Sequence, residues 1–142
     1  MTAAPRLVNS LAELKSFATE LRTQMGARQI VLLNGPMGAG KTQLVRYIVE
    51  AMGGRAVSSP TFAIHNEYKT AAGVVDHVDL YRLESEAELE ATGFWDLFSR
   101  ASGLVIVEWA DRLDARVWPP SWERLTIYIE ARADSSRLIR CE

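Results

Sequence analysis

The octet Gly35-Pro-Met-Gly-Ala-Gly-Lys-Thr42 matches the pattern G-x-x-x-x-G-K-[ST] in full. It constrains the fold more than any other stretch of the chain. A glycine-rich turn of this kind brings backbone N–H groups close to phosphate oxygens. It needs a buried strand before it to anchor the turn, and a helix after it whose N-terminal dipole faces the anion. The flanks meet both demands. Gln29-Ile-Val-Leu-Leu-Asn34 is an aliphatic run of strand length, and Leu44, Val45, Ile48, Val49 and Met52 recur on one helical face until Gly53-Gly54 stops it. The segment therefore predicts a phosphate site made of Gly35, Met37, Gly38, Ala39, Gly40, Lys41, Thr42 and Gln43. Lys41 is placed to reach the β- and γ-phosphates, and the Thr42 hydroxyl to ligate magnesium.

The remaining pattern surrounds that unit with more strands and helices. Ser10-Leu-Ala-Glu13 reads as a capping box, and Leu11, Leu14, Ala18, Leu21 and Met25 follow at helical spacing before Gly26. Residues 61–68 and 74–79, joined by Ala72-Gly73, suggest a hairpin. Residues 84–91 form an acidic helical stretch that Gly93 breaks. Leu104-Val-Ile-Val107 is a second fully apolar strand, and residues 125–130 and 137–141 read as late strands at or near an edge. No internal repeat or interdomain linker is visible, so residues 1–142 are expected to form a single P-loop domain. The fold class is α/β: a P-loop NTPase-type sheet, mainly parallel, with an antiparallel hairpin and edge strands, flanked by helices.

Composition narrows the function. The net charge of −2 argues against a surface built mainly to neutralise nucleic-acid phosphates. The lone cysteine, Cys141, cannot form an internal disulfide and has no metal-ligand spacing around it. The N-terminus shows no basic start with an apolar h-region, and no apolar run approaches the roughly 20 residues of a membrane span. A cytoplasmic protein without a membrane role is expected.

Magnesium and a reacting water call for carboxylates opposite the P-loop, at the C-terminal end of a buried strand. Glu108 follows four aliphatic residues and fits that position; Asp79 also ends an apolar-patterned strand. Both are candidates for the metal and for catalysis. His77 could serve as a base, although a histidine beside a strand end is ordinarily structural. Trp109 could pack on the nucleotide, on a partner or in the core. Glu84, Glu86, Glu88 and Glu90 read as a solvated helix face or a docking surface for something basic.

The loop alone does not name a reaction. Gly-Pro-Met-Gly-Ala-Gly-Lys also looks like the loop of shikimate kinases and related small-molecule kinases. Those carry an acidic substrate motif soon after the P-loop helix, and an arginine-bearing lid; here Ser58-Ser-Pro-Thr-Phe62 follows. The GTPase base-reading motif Asn-Lys-x-Asp and the ABC signature Leu-Ser-Gly-Gly-Gln are absent.

One family is resembled closely. Ser59-Pro-Thr-Phe62, Tyr68, His77-Val-Asp-Leu-Tyr-Arg82, Glu88-Leu89 and Ile106-Val-Glu-Trp-Ala-Asp111 look like the successive motifs of TsaE, in the family's order and at similar spacing. The resemblance covers nearly the whole chain. It implies a small Mg2+-dependent ATPase of bacterial tRNA threonylcarbamoyladenosine biosynthesis, slow alone. Such a protein supports a TsaB–TsaD pair that modifies the adenosine beside the tRNA anticodon, and it reaches tRNA through that complex. ATP and Mg2+ are the implied ligands, and the chain alone is expected to be a monomer. By the same resemblance, Lys41 and Thr42 hold phosphate and magnesium, Glu108 serves the magnesium site, and Asp79 serves metal or water. Thr61 faces the γ-phosphate from a switch-like loop, and Arg137 approaches the nucleotide from the late segment.

Overall fold

In a computed structural model, residues 4–55 and 65–142 are described. The candidate Thr61 and the Ser59-Pro-Thr-Phe62 motif lie outside them.

A short strand β1 (Arg6–Val8) leads into helix α1 (Leu11–Thr23). The Ser10 hydroxyl caps α1 by accepting the Glu13 N–H at 3.1 Å, and the Glu13 carboxylate reaches back to the N–H of Asn9. This completes a cap one residue wider than the strict box. Leu14, Phe17, Ala18 and Leu21 form the buried face of α1. Strand β2 (Arg28–Asn34) runs into the P-loop, and α2 (Lys41–Ala51) starts directly behind it. Strands β3 (His65–Thr70) and β4 (Gly73–Asp79) form the expected antiparallel hairpin, with His65 opposite Val78. A short helix α3 (Glu86–Ala91) and a 3₁₀ segment Phe94–Ser99 lead to β5 (Gly103–Glu108). Strands β6 (Glu123–Ala131) and β7 (Arg137–Cys141) close the fold.

The sheet has the order β1-β7-β6-β2-β5-β4-β3. Its four central strands, β6, β2, β5 and β4, are parallel; β7 and β3, which flank them, run antiparallel, and β1, antiparallel to β7, lies at the outer edge in the central direction. The late strands expected at or near an edge lie second and third from one: β7 pairs with β1 and β6, and β6 pairs with β2 on its other side, with Ile127 and Ile129 buried. The edge position itself falls to β1, which pairs with β7.

Alternation along the strands divides the core in two. Val31 and Leu33 of β2, with Leu104 and Ile106 of β5, pack under α1 and α2. Ile30 and Leu32, with Val105 and Val107, face the other side, where Phe94, Leu97, Trp118 and Trp122 cover them. This parity decides the site. Glu108 continues the Ile106 face, so its side chain emerges on the α2 side, toward the P-loop helix. Among the described residues, no helix is long and apolar enough to cross a membrane.

Candidate functional site

The P-loop is held from below by the sheet. At Gly35, with φ +157°, a Cβ would stand 2.2 Å from the carbonyl oxygen of Ile129 in β6. Only glycine lets the chain pass that close. At Gly40, the N-cap of α2, φ is +103° and a Cβ would stand 2.5 Å from Arg137 Nε. Gly35→Ala is therefore expected to destabilise the fold by at least about 2 kcal/mol, through backbone strain and overpacking together. Chemical denaturation of the nucleotide-free chain measures this.

A cleft of about 380 Å³ opens over the loop. Met37, Gly38, Gly40, Lys41, Thr42 and Gln43 line one side of it. Asp79, Tyr81, Glu108 and Trp109 line the other. The two carboxylates come from the ends of adjacent parallel strands, at directly paired positions. Two other residues expected to bind the cofactor stand behind the loop. Ala39 is buried in the core, and Arg137 Nε donates to the Ala39 carbonyl at 3.0 Å. The Gly35 carbonyl accepts a hydrogen bond from Lys41 Nζ.

Lys41 is only 6% exposed. Its ammonium lies 3.9 Å from the centroid of the Trp109 ring, which itself packs on Tyr81 at 5.0 Å. Trp109 reaches this place because its backbone adopts a left-handed conformation, φ 59°, as the chain leaves β5. Burial pushes the Lys41 ammonium below its ordinary value, while Glu108, Asp79 and Asp111 pull it back up. A cation stripped of water in this way is predisposed to take an anionic oxygen as its partner.

The Asp79 carboxyl is raised above its ordinary value, first by burial and further by the neighbouring Glu108. The backbone N–H of Tyr81 opposes this by donating to Asp79 Oδ1 at 2.9 Å. The Lys41 ammonium also opposes it. A carboxyl raised on folding binds more protons in the folded state, so stability falls as pH rises above the unfolded value. Asp79→Asn is therefore expected to raise the melting temperature of the nucleotide-free chain at pH 7. The gain should vanish at a pH below the unfolded carboxyl value, where both states carry the proton. Thermal melts at the two pH values check this sign.

The remaining member of the cluster is His77, fully buried, with Nε2 2.5 Å from Glu108 Oε2. Its Nδ1 is buried without a hydrogen-bond partner among the described residues. Sequence reading leaves His77 as a structural residue or a base and does not link it to Glu108. The signal was the two-residue step from His77 to Asp79, which puts them on one strand face, opposite Ile106 and Glu108. Tyr81, two residues beyond Asp79, also lines the cleft and has no role assigned by its sequence position.

The donor set is hard oxygen: two carboxylates and the Thr42 hydroxyl. Among the described residues, no group of three or more His, Cys, Asp or Glu side chains gathers as a metal cage. These residues fit magnesium, which takes one or two carboxylates, retains waters and shares phosphate oxygens.

Comparison with known proteins places this geometry in one family. The family model for threonylcarbamoyl adenosine biosynthesis protein TsaE matches residues 8–139. The tRNA threonylcarbamoyladenosine biosynthesis protein TsaE of Rickettsia conorii is 35% identical over 133 residues, covering 92% of this chain and 73% of the relative. The protein of the same name from Bacillus subtilis is 36% identical over 111 residues, covering 78% and 66%. The crystal structure of Bacillus subtilis YdiB superposes with a TM-score of 0.71 at 26% identity, covering 99% of this chain and 86% of that one. With the P-loop, the paired carboxylates and the sheet order all in place over that matched span, the chain belongs to the TsaE family.

Proposed function

We propose that this chain is a magnesium-dependent ATPase that serves threonylcarbamoylation of tRNA, acting with TsaB and TsaD proteins on the adenosine next to the anticodon. The observation that carries the reading is the convergence on one cleft of Lys41, Thr42 and the paired carboxylates Asp79 and Glu108. The family supplies the pathway, since the relatives are named for tRNA threonylcarbamoyladenosine biosynthesis.

The chemistry follows from the residues. The loop N–H groups and the Lys41 ammonium bind the β- and γ-phosphates, and Lys41 neutralises charge that builds on the γ-phosphoryl oxygens. Thr42, Glu108 and Asp79 would hold magnesium, which when bound offsets phosphate charge as a Lewis acid. A carboxylate oxygen of Asp79 or Glu108 left free of the metal accepts a hydrogen bond from the attacking water and aims it. Tyr81 and Trp109 form an aromatic wall beside Lys41 and shield it from bulk water. Thr61, outside the described residues, is proposed to face the γ-phosphate, and Arg137 to steady the loop through Ala39.

A small-molecule kinase would use the same P-loop but deliver phosphate to an acceptor. Following ³²P from the γ-position separates the two. The expected result is free inorganic phosphate, unaffected by shikimate or other hydroxylated acceptors. Label retained on such an acceptor would overturn the ATPase reading.

A further inference from the structure

We propose that His77 is a positioning residue that fixes the rotamer of Glu108 through its Nε2–H, so that one carboxylate oxygen is held back and the other is presented to the magnesium ion. The inference rests on the ATPase reading above and deepens it.

The geometry assigns the direction of the bond. His77 is fully buried, and Glu108 is 3% exposed. A proton on Nδ1 would be a buried donor with no acceptor among the described residues, at a cost of about 1–3 kcal/mol. A bare Nδ1 avoids that cost, which puts the ring proton on Nε2, 2.5 Å from Glu108 Oε2. The ring is itself clamped: it is fully buried on β4, between Ile106 of β5 and Asn66 of β3 in the sheet. Glu108 ends its strand, where the chain turns sharply at Trp109, and a side chain there has rotamers to lose. Tying Oε2 to a fixed ring removes that freedom before any ligand arrives. It leaves Oε1 as the oxygen for the cleft that Glu108 lines with Thr42 and Asp79. This is how an outer hydrogen-bond partner tunes a metal ligand.

The test compares the unaltered chain with His77→Gln and His77→Met. Glutamine places an amide N–H near the position of Nε2, whereas methionine has similar length and no donor. ADP affinity is measured by calorimetry with and without Mg2+. Without Mg2+ all three should bind ADP within about twofold of one another. With Mg2+ the unaltered and glutamine chains should gain affinity, and the methionine chain should gain at least about tenfold less. An equal gain in the methionine chain overturns the inference, and so does a glutamine chain that loses as much as methionine, since that is the mark of packing alone. If the unaltered chain gains nothing from Mg2+, the metal reading falls and this inference falls with it.

A second measurement does not depend on a variant at His77 folding. The chain has two histidines, so ¹⁵N-histidine NMR with His65→Gln isolates the His77 ring. The expected signature is a protonated Nε2 and a bare Nδ1. A proton on Nδ1 overturns the assignment.

Discussion

Replacing Lys41 by alanine is expected to weaken ATP binding by roughly 30-fold to several thousandfold, the range that follows from losing one partner of a buried charge-assisted contact worth about 2–5 kcal/mol. The fold should tolerate the change. Among the described residues, Lys41 contacts the Gly35 carbonyl and the Trp109 ring. The loss of these contacts is offset by no longer burying an ammonium that desolvation already disfavours. Calorimetric ATP titration alongside thermal melts measures both sides. A variant that melts normally and binds ATP as before would show that phosphate does not sit where the loop presents Lys41.

Glu108→Gln is expected to lower turnover by at least about a hundredfold while leaving ATP affinity measured without Mg2+ within a fewfold. Glutamine keeps the shape and can still accept from His77, so the buried pair stays satisfied. What it loses is the negative charge facing the P-loop across from Thr42. A large kcat effect with a small effect on metal-free binding is the signature of a group that acts through the metal and the transition state and not through the fold of the phosphate loop. Single-turnover phosphate release and nucleotide titration, run on the same preparation, distinguish this from misfolding. If turnover is unchanged, Asp79 alone carries the carboxylate role.

Much of this site is legible from short-range pattern. The P-loop motif, the aliphatic run before it and the helix after it belong to one contiguous stretch. Glu108 was findable because β5 is apolar on both faces and then changes character at its last residue. What could not be read was set by contacts between distant segments. β6 lies beside β2 with β7 and β1 beyond it, and residues 125–130 carry no mark of that order. Arg137 illustrates the same limit: its approach to the loop was expected, but its bond to the Ala39 carbonyl spans 98 residues and has no sequence signature. The hairpin strand expected over 61–68 is described from His65 and runs on to Thr70. Its polar sequence suits an edge, where His65 and Glu67 meet Asp76 and Arg100 instead of an apolar layer. His77 is the most instructive case. One buried imidazole looks like core packing until the neighbouring strand is known, and β5 then puts Glu108 at its Nε2.

The slow basal rate expected of the isolated chain, and its dependence on partners, form the central claim. The direct test is a steady-state assay of phosphate release from Mg2+–ATP by the purified chain, alone and with a TsaB–TsaD pair. The account predicts slow release alone and a marked increase with the pair, abolished by Lys41→Ala and by Glu108→Gln. Release that is equally fast with and without the pair, or absent in both, would contradict it.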